Sequence, residues 1–278
     1  MSTTTPTPVP TSTSAPGAHD APSAARPAYP PIPFARVVSV ELRKMFDTRS
    51  GLWLLASIGF LSLLATAAVI AFAPDSELTY ETFASAVGIP MSVVLPVIAI
   101  LSVTSEWSQR TGLATFTFVP QRGRVISAKL VCAVAVGVVS IAVAAAVGAL
   151  GNLVGSAIAG VDATWDVSVT ELGLIVLANV LGLLVGFMLG VLLRSSPAAI
   201  VAYFVYGFVL AGLTALLAAS QPWFADLQPW VDFNFSQTSL YDGVPSAEQW
   251  AQLGTSGLLW LVLPLAVGLR MVVRSEVK

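Results

Sequence analysis

Six apolar runs dominate the sequence, at about residues 51–73, 83–104, 128–154, 171–193, 197–219 and 253–273. Each approaches the roughly 20 residues that a helix needs to cross hydrocarbon. In lipid a helix satisfies its own backbone hydrogen bonds, so such runs read as transmembrane helices. Of the 278 residues, 56% are hydrophobic and only 10% charged, against about 25% charged in a soluble domain. The expected fold class is an all-α membrane protein with six transmembrane helices. The third run is long enough to tilt or to extend beyond the bilayer. The fourth and fifth are separated only by "RSSP", which predicts a tight helical hairpin, with Pro197 in the first turn of the fifth helix.

The cations fall on one side of this pattern. All 13 Lys and Arg lie before the first run, between the second and third, in the short hairpin, or in the closing segment. The other three connections carry no cation, yet hold Asp75, Glu77, Glu81, Asp162, Asp166, Glu171, Asp226, Asp232, Asp242 and Glu248. By the positive-inside rule both termini are cytoplasmic, and the chain is a multi-pass protein of the cell (plasma) membrane. Residues 1–33 are rich in Thr, Pro, Ser and Ala, with no apolar stretch of signal-peptide length. They read as a disordered cytoplasmic tail, leaving 34–278 as the membrane domain.

The centres of the six runs contain no Asp, Glu, Lys, Arg or His. This argues against a proton- or sodium-coupled carrier, which usually needs an intramembrane ionisable group. It also argues against an intramembrane acid–base enzyme. One cysteine, Cys132, and one histidine, His19, give no zinc site and no Ser–His hydrolase. No catalytic or metal-binding residue is expected. Cys132 reads as a small core residue. Asn152 and Asn179 serve either helix–helix hydrogen bonds or a substrate path. "GLLVGFMLG" sets Gly182, Gly186 and Gly190 on one face at i, i+4, i+8, a groove for close packing within the chain or for a dimer seam. Pro90, Pro96 and Pro264 favour kinks in their helices.

Before the first run, "FARVVSVELRKMFDTR" is an amphipathic helix. Phe34, Val37, Val38, Leu42, Met45 and Phe46 share one arc, and Arg36, Arg43 and Asp47 the other. Such a helix suits the cytoplasmic membrane interface. Glu41 falls inside the apolar arc. It pairs either with Lys44 at i, i+3 or with a cation of the 105–129 connection. At the opposite side, the connection 220–252 carries "QPWFADLQPWVDFNF", apolar but broken by proline. It reads as re-entrant or interfacial, with Trp223 and Trp230 at headgroup level. Its role is anchoring or the capping of an exit path.

The cytoplasmic connection is "SEWSQRTGLATFTFVPQRGRVISAK". Its first part predicts a short helix with Ser105 as N-cap, Glu106 near the positive end and Gly112 as the stop. An apolar knob follows, ahead of a Pro-Gln-Arg-Gly turn. It is either a docking element for a partner cleft or a solvated loop. The "VELRKMF" helix, the loop pattern of Glu106, Thr111, Gly112, Pro120, Arg122 or Arg124 and Lys129, and the six-span plan with a large last outer connection resemble an ABC-2 type permease. That is the membrane subunit of an ATP-binding-cassette exporter, and the resemblance covers about residues 34–275. It implies that the leading helix, with Glu41 and Lys44, is a connecting helix. The 105–129 connection becomes a coupling element, with Arg110, Phe116 and Phe118 as docking contacts and Glu106 orienting the loop.

The chain has no GxxxxGK[ST] loop to cradle ATP. The resemblance therefore implies no directly bound cofactor and no ATPase activity in this chain. ATP acts through a separate cytoplasmic ATPase subunit, beside a second permease subunit, identical or different, and membrane lipid. No nucleic acid is expected as a partner. The alternative is a non-transporting polytopic assembly factor or sensor anchor.

Overall fold

The computed structural model describes residues 32–47, 49–108 and 122–274. Residues 1–31 of the predicted tail 1–33 and all of the predicted knob lie outside the described residues. Among those described, regular structure is helical, with a single isolated bridge between Thr79 and Thr164. The helices in chain order are α1 Phe34–Asp47, α2 Arg49–Phe72, α3 Tyr80–Ser108, α4 Arg122–Ala159, α5 Val169–Leu193, α6 Ser196–Ser220, α7 Pro222–Val231, α8 Phe233–Thr238 and α9 Ala247–Arg274. Five of them, α3, α4, α5, α6 and α9, are long and apolar enough to cross a membrane, and α2 contains a shorter apolar helix, Ala56–Phe72. The chain is thus an all-α, multi-pass membrane protein.

Successive long helices run antiparallel, so their ends sort into two groups. The described cations cluster where α1, the end of α3, the start of α4, the α5–α6 hairpin and the end of α9 come together. The acidic connections collect at the opposite end. There the α4–α5 connection folds back on the start of α3: Tyr80 N–H donates to Thr164 O at 3.1 Å and Glu81 N–H to Asp166 Oδ1 at 2.8 Å. Asn152 is fully buried in α4 and donates to the same Thr164 carbonyl at 2.9 Å. This amide therefore ties a helix to a connection rather than to a second helix.

Sequence dictates several boundaries. Ser168 and Glu171 cap the start of α5 reciprocally, as Ser246 and Gln249 cap α9. Pro197 sits in the first turn of α6 as expected. The α5–α6 hairpin turns at Arg194, whose φ of 53° is left-handed, and its N–H closes on Gly190 O at 3.0 Å. Helix α4 has 38 residues. At 1.5 Å per residue it is about 57 Å long, well beyond a hydrocarbon core of about 30 Å.

The main core joins α2, α3, α4, α5 and α9 through residues such as Ile58, Met91, Leu95, Val103, Ile126, Leu183 and Phe187. A second core sits toward the acidic end, where Phe233 of α8 packs among Leu174, Val185, Leu253 and Leu261. The connection predicted as re-entrant or interfacial therefore packs into the bundle. Thr214 Oγ1 donates to Asp232 Oδ2 at 2.6 Å, and Trp260 Nε1 donates to Val231 O at 2.7 Å. Trp223, at its outer end, stays exposed. Helix α6 is the least enclosed: beyond Ala199 none of its residues is fully buried.

Candidate functional site at the cation-rich end

The site is built on α1, whose period places three side-chain sets around it. Val37, Glu41 and Met45 turn toward the bundle, with Val37 and Glu41 buried. Leu42 and Phe46 remain exposed on an adjoining arc, and Arg36, Arg43 and Asp47 are exposed on a third. A helix with protein, apolar and charged faces suits the boundary between bundle, lipid and water. Arg43 and Asp47 make only a loose exposed pair, 3.9 Å apart.

Glu41 accounts for the break in the apolar arc. Its Oε2 accepts from Lys129 Nζ of α4 at 2.5 Å, and its Oε1 accepts from Lys44 Nζ at 2.8 Å. The two partners the sequence offered as alternatives are thus both used. The side chains of Glu41 and Lys129 are 5% and 6% exposed, and that of Lys44 is 44% exposed. Such a pair adds little net stability, because desolvation opposes the Coulomb attraction; its strength is in fixing register. Two further contacts hold the same face. Arg124 Nη2 donates to Ile32 O at 2.9 Å, and Cys132 Sγ–H lies 3.3 Å from Val38 O. The segment from Ile32 to Glu41 is therefore held on α4.

The predicted 105–129 connection is shorter than expected. Helix α3 continues to Ser108, so Ser105 is not an N-cap; its hydroxyl donates back to Ser102 O at 3.2 Å. Glu106 lies on the last turn of α3. Arg122 opens α4, and Arg124 and Lys129 follow within its first turns rather than in a loop. An apolar-run criterion misses this, since a helix leaving lipid continues through charged residues once it has water around it. Arg110, Thr111, Gly112, Phe116, Phe118 and Pro120 lie outside the described residues.

No protein-family model and no curated protein sequence matches this chain. Its own geometry therefore carries the reading. The glycine stripe resolves into intramolecular packing at two positions. A Cβ on Gly186 would stand 2.6 Å from Pro96 O, and one on Gly190 3.3 Å from Ile100 O, so α3 and α5 touch backbone to backbone. A Cβ on Gly182 would meet no atom of another element within 4 Å among the described residues.

Near the same cation-rich end, Thr104 and Ser196 hydroxyls lie 2.7 Å apart, linking the end of α3 to the start of α6. Sequence reading missed this pair, because Ser and Thr are too common in membrane helices to single out. It also treated Asp232 as one more acid of an outer connection. In the fold Asp232 is buried, caps α8 by accepting from Phe235 N–H at 3.1 Å, and accepts from Thr214 and Gln228. The Asp-x-x-Phe spacing after a proline-broken helix is the only signal that could have marked it as a cap.

Proposed function

We propose that this chain is the membrane subunit of an ATP-binding-cassette exporter of the ABC-2 type, coupled to a separate cytoplasmic ATPase subunit. In this reading it crosses the plasma membrane six times, with α2 as the first span and both termini in the cytoplasm. It works beside a second permease subunit. The observation that carries the reading is the Glu41 carboxylate buried between Lys44 of α1 and Lys129 of α4. Residues 109–121 lead directly into α4. A push on that connection reaches α4 at Arg122 and reaches α1 through Glu41, so two elements move as one body. That is what a coupling element requires when the spans lack a charge to be driven by an ion gradient. The one-sided distribution of the 13 cations supports the orientation.

The test separates affinity from coupling. Burial of Phe116 and Phe118 in a partner cleft contributes about 1.5–3 kcal/mol each. Exposed charges contribute only about 0–1 kcal/mol to binding. Phe116→Ala with Phe118→Ala should release the ATPase from the affinity-purified complex. Glu106→Gln should keep the complex assembled while uncoupling hydrolysis from transport. ATP hydrolysis by the rigorously pure chain, or a double Phe variant that assembles and pumps like the parent, defeats the reading.

A further inference from the structure

A cavity of about 260 Å³ opens midway along the bundle, between α3, α5, α6 and α8. Ser92, Asn179 and Tyr206, which line it, lie about 15–18 Å along their helices, and Asn234 and Gln237 of α8 close it. Its walls are made where helices depart from regularity. Pro96 cannot donate to the carbonyl four residues back. That carbonyl, Ser92 O, accepts instead from the Tyr203 hydroxyl of α6 at 2.7 Å. Residues Val205–Leu210 of α6 form a π turn, and a second π turn, Leu258–Val262, lies in α9. The two meet through the rings of Tyr206 and Trp260, 5.7 Å apart. Irregular backbone at membrane depth is tolerated where it is buried or borders a cavity, and π turns recur at functional sites.

Two buried polar atoms at this cavity have no partner among the described residues. Asn179 is 5% exposed; its Nδ2 donates to Ile175 O at 2.9 Å, and its Oδ1 accepts nothing. The Tyr206 hydroxyl is likewise unpartnered. Buried polar atoms are almost always satisfied. One needs a donor, and the other accepts or donates. A single hydroxyl group supplies both functions. Among the described residues no Asp, Glu, Lys, Arg or His lines the cavity, and the neighbouring Asp232 carboxylate is taken up by Thr214, Gln228 and the Phe235 N–H, so a charged occupant would be buried without a free counter-charge, which is costly. The volume exceeds the roughly 150 Å³ that takes a benzene ring, and tyrosine rings provide flat apolar walls. We propose that this cavity binds an uncharged, hydroxyl-bearing ring compound of about two rings, held by Asn179 Oδ1 and the Tyr206 hydroxyl. The assignment does not rest on the exporter reading, because binding within one chain needs no ATPase partner.

The test is equilibrium dialysis of the full-length chain in detergent against protein-free micelles of the same detergent. The probes are 2-naphthol, naphthalene and ionised 2-naphthoate. 2-Naphthol should bind saturably at about one equivalent, with both analogues weaker by tenfold or more, the order of a lost buried hydrogen bond. Tyr206→Phe keeps the ring against Trp260 and removes only the hydroxyl. Asn179→Leu removes the acceptor at similar volume. Each should weaken 2-naphthol binding about tenfold and leave naphthalene binding unchanged. Should Asn179→Leu fail to fold, Tyr206→Phe alone decides. Equal binding of naphthol and naphthalene would make the cavity an apolar slot for an acyl chain and overturn the proposal. Absence of saturable binding would make it a water pocket, with the same result.

Discussion

A carboxylate on the buried arc of an amphipathic helix must meet a cation, and Glu41 meets two. Their burial makes them unequal. Lys129 is enclosed with Glu41, while Lys44 reaches halfway into solvent. Removing one partner of a buried pair leaves a charge without enough compensation and costs about 3–5 kcal/mol. An exposed pair is worth about 0–1 kcal/mol. Lys129→Met should therefore lower the melting temperature of the detergent-solubilised protein clearly more than Lys44→Met. Glu41→Leu combined with Lys129→Met should recover most of the loss, because neither charge then remains buried. Equal melting for the two single variants would mean that Glu41 is solvated, and that α1 is held by its apolar contacts alone. The misplaced carboxylate was legible in the sequence as an anomaly. Its partner was legible only as one of several cations, since choosing Lys129 requires knowing that α4 begins seven residues earlier.

At the scale of elements, period was readable and irregularity was not. The i, i+4, i+8 spacing of Gly182, Gly186 and Gly190 puts them on one face of α5. Only the fold distinguishes a glycine touching backbone from one facing open space. Gly186→Ala drives a methyl against Pro96 O, a backbone atom that cannot swing aside. Overpacking of this kind costs about 1–3 kcal/mol. Gly182→Ala enters open space and should change stability by no more than about 0.5 kcal/mol. Thermal melts of the two variants in the same detergent check this; a Gly186→Ala protein as stable as the parent would mean that α3 and α5 are not in backbone contact. The π turns in α6 and α9 had no sequence signature, because an extra residue per turn leaves an all-apolar stretch all-apolar. Proline did leave one: Pro96 predicted a freed carbonyl, though not the Tyr203 hydroxyl that takes it up. The extension of α3 to Ser108 and of α4 back to Arg122 escaped detection because hydropathy locates the lipid-facing part of a helix, not its ends.

Across the whole molecule, hydropathy and charge gave the plan: long apolar helices, cations at one end, acids at the other. The fold adds that the two ends are built differently. The cation-rich end is tied by ionic and hydroxyl contacts, Glu41 to Lys129 and Thr104 to Ser196. The acidic end is closed by chain that folds back in, so some of its acids are not at the surface. That matters for testing the orientation. Asp232 belongs to an outer connection by sequence but is buried and hydrogen-bonded, so a cysteine there would be shielded from a reagent on either side. Asp242, beyond α7 and α8, is exposed, as is Arg43 on α1. In a Cys132→Ala background, Asp242→Cys should react with a membrane-impermeant maleimide in intact cells. Arg43→Cys should react only after lysis, since removing one of 13 cations leaves the charge asymmetry that sets the orientation. Labelling of Arg43→Cys in sealed cells, with Asp242→Cys protected, would invert the protein. It would also carry the Glu41 junction and residues 109–121 away from any cytoplasmic ATPase, so the exporter reading would fail with the orientation. The cavity beside Asn179 and Tyr206 lies midway between the two ends, and its binding of 2-naphthol should be the same in either orientation.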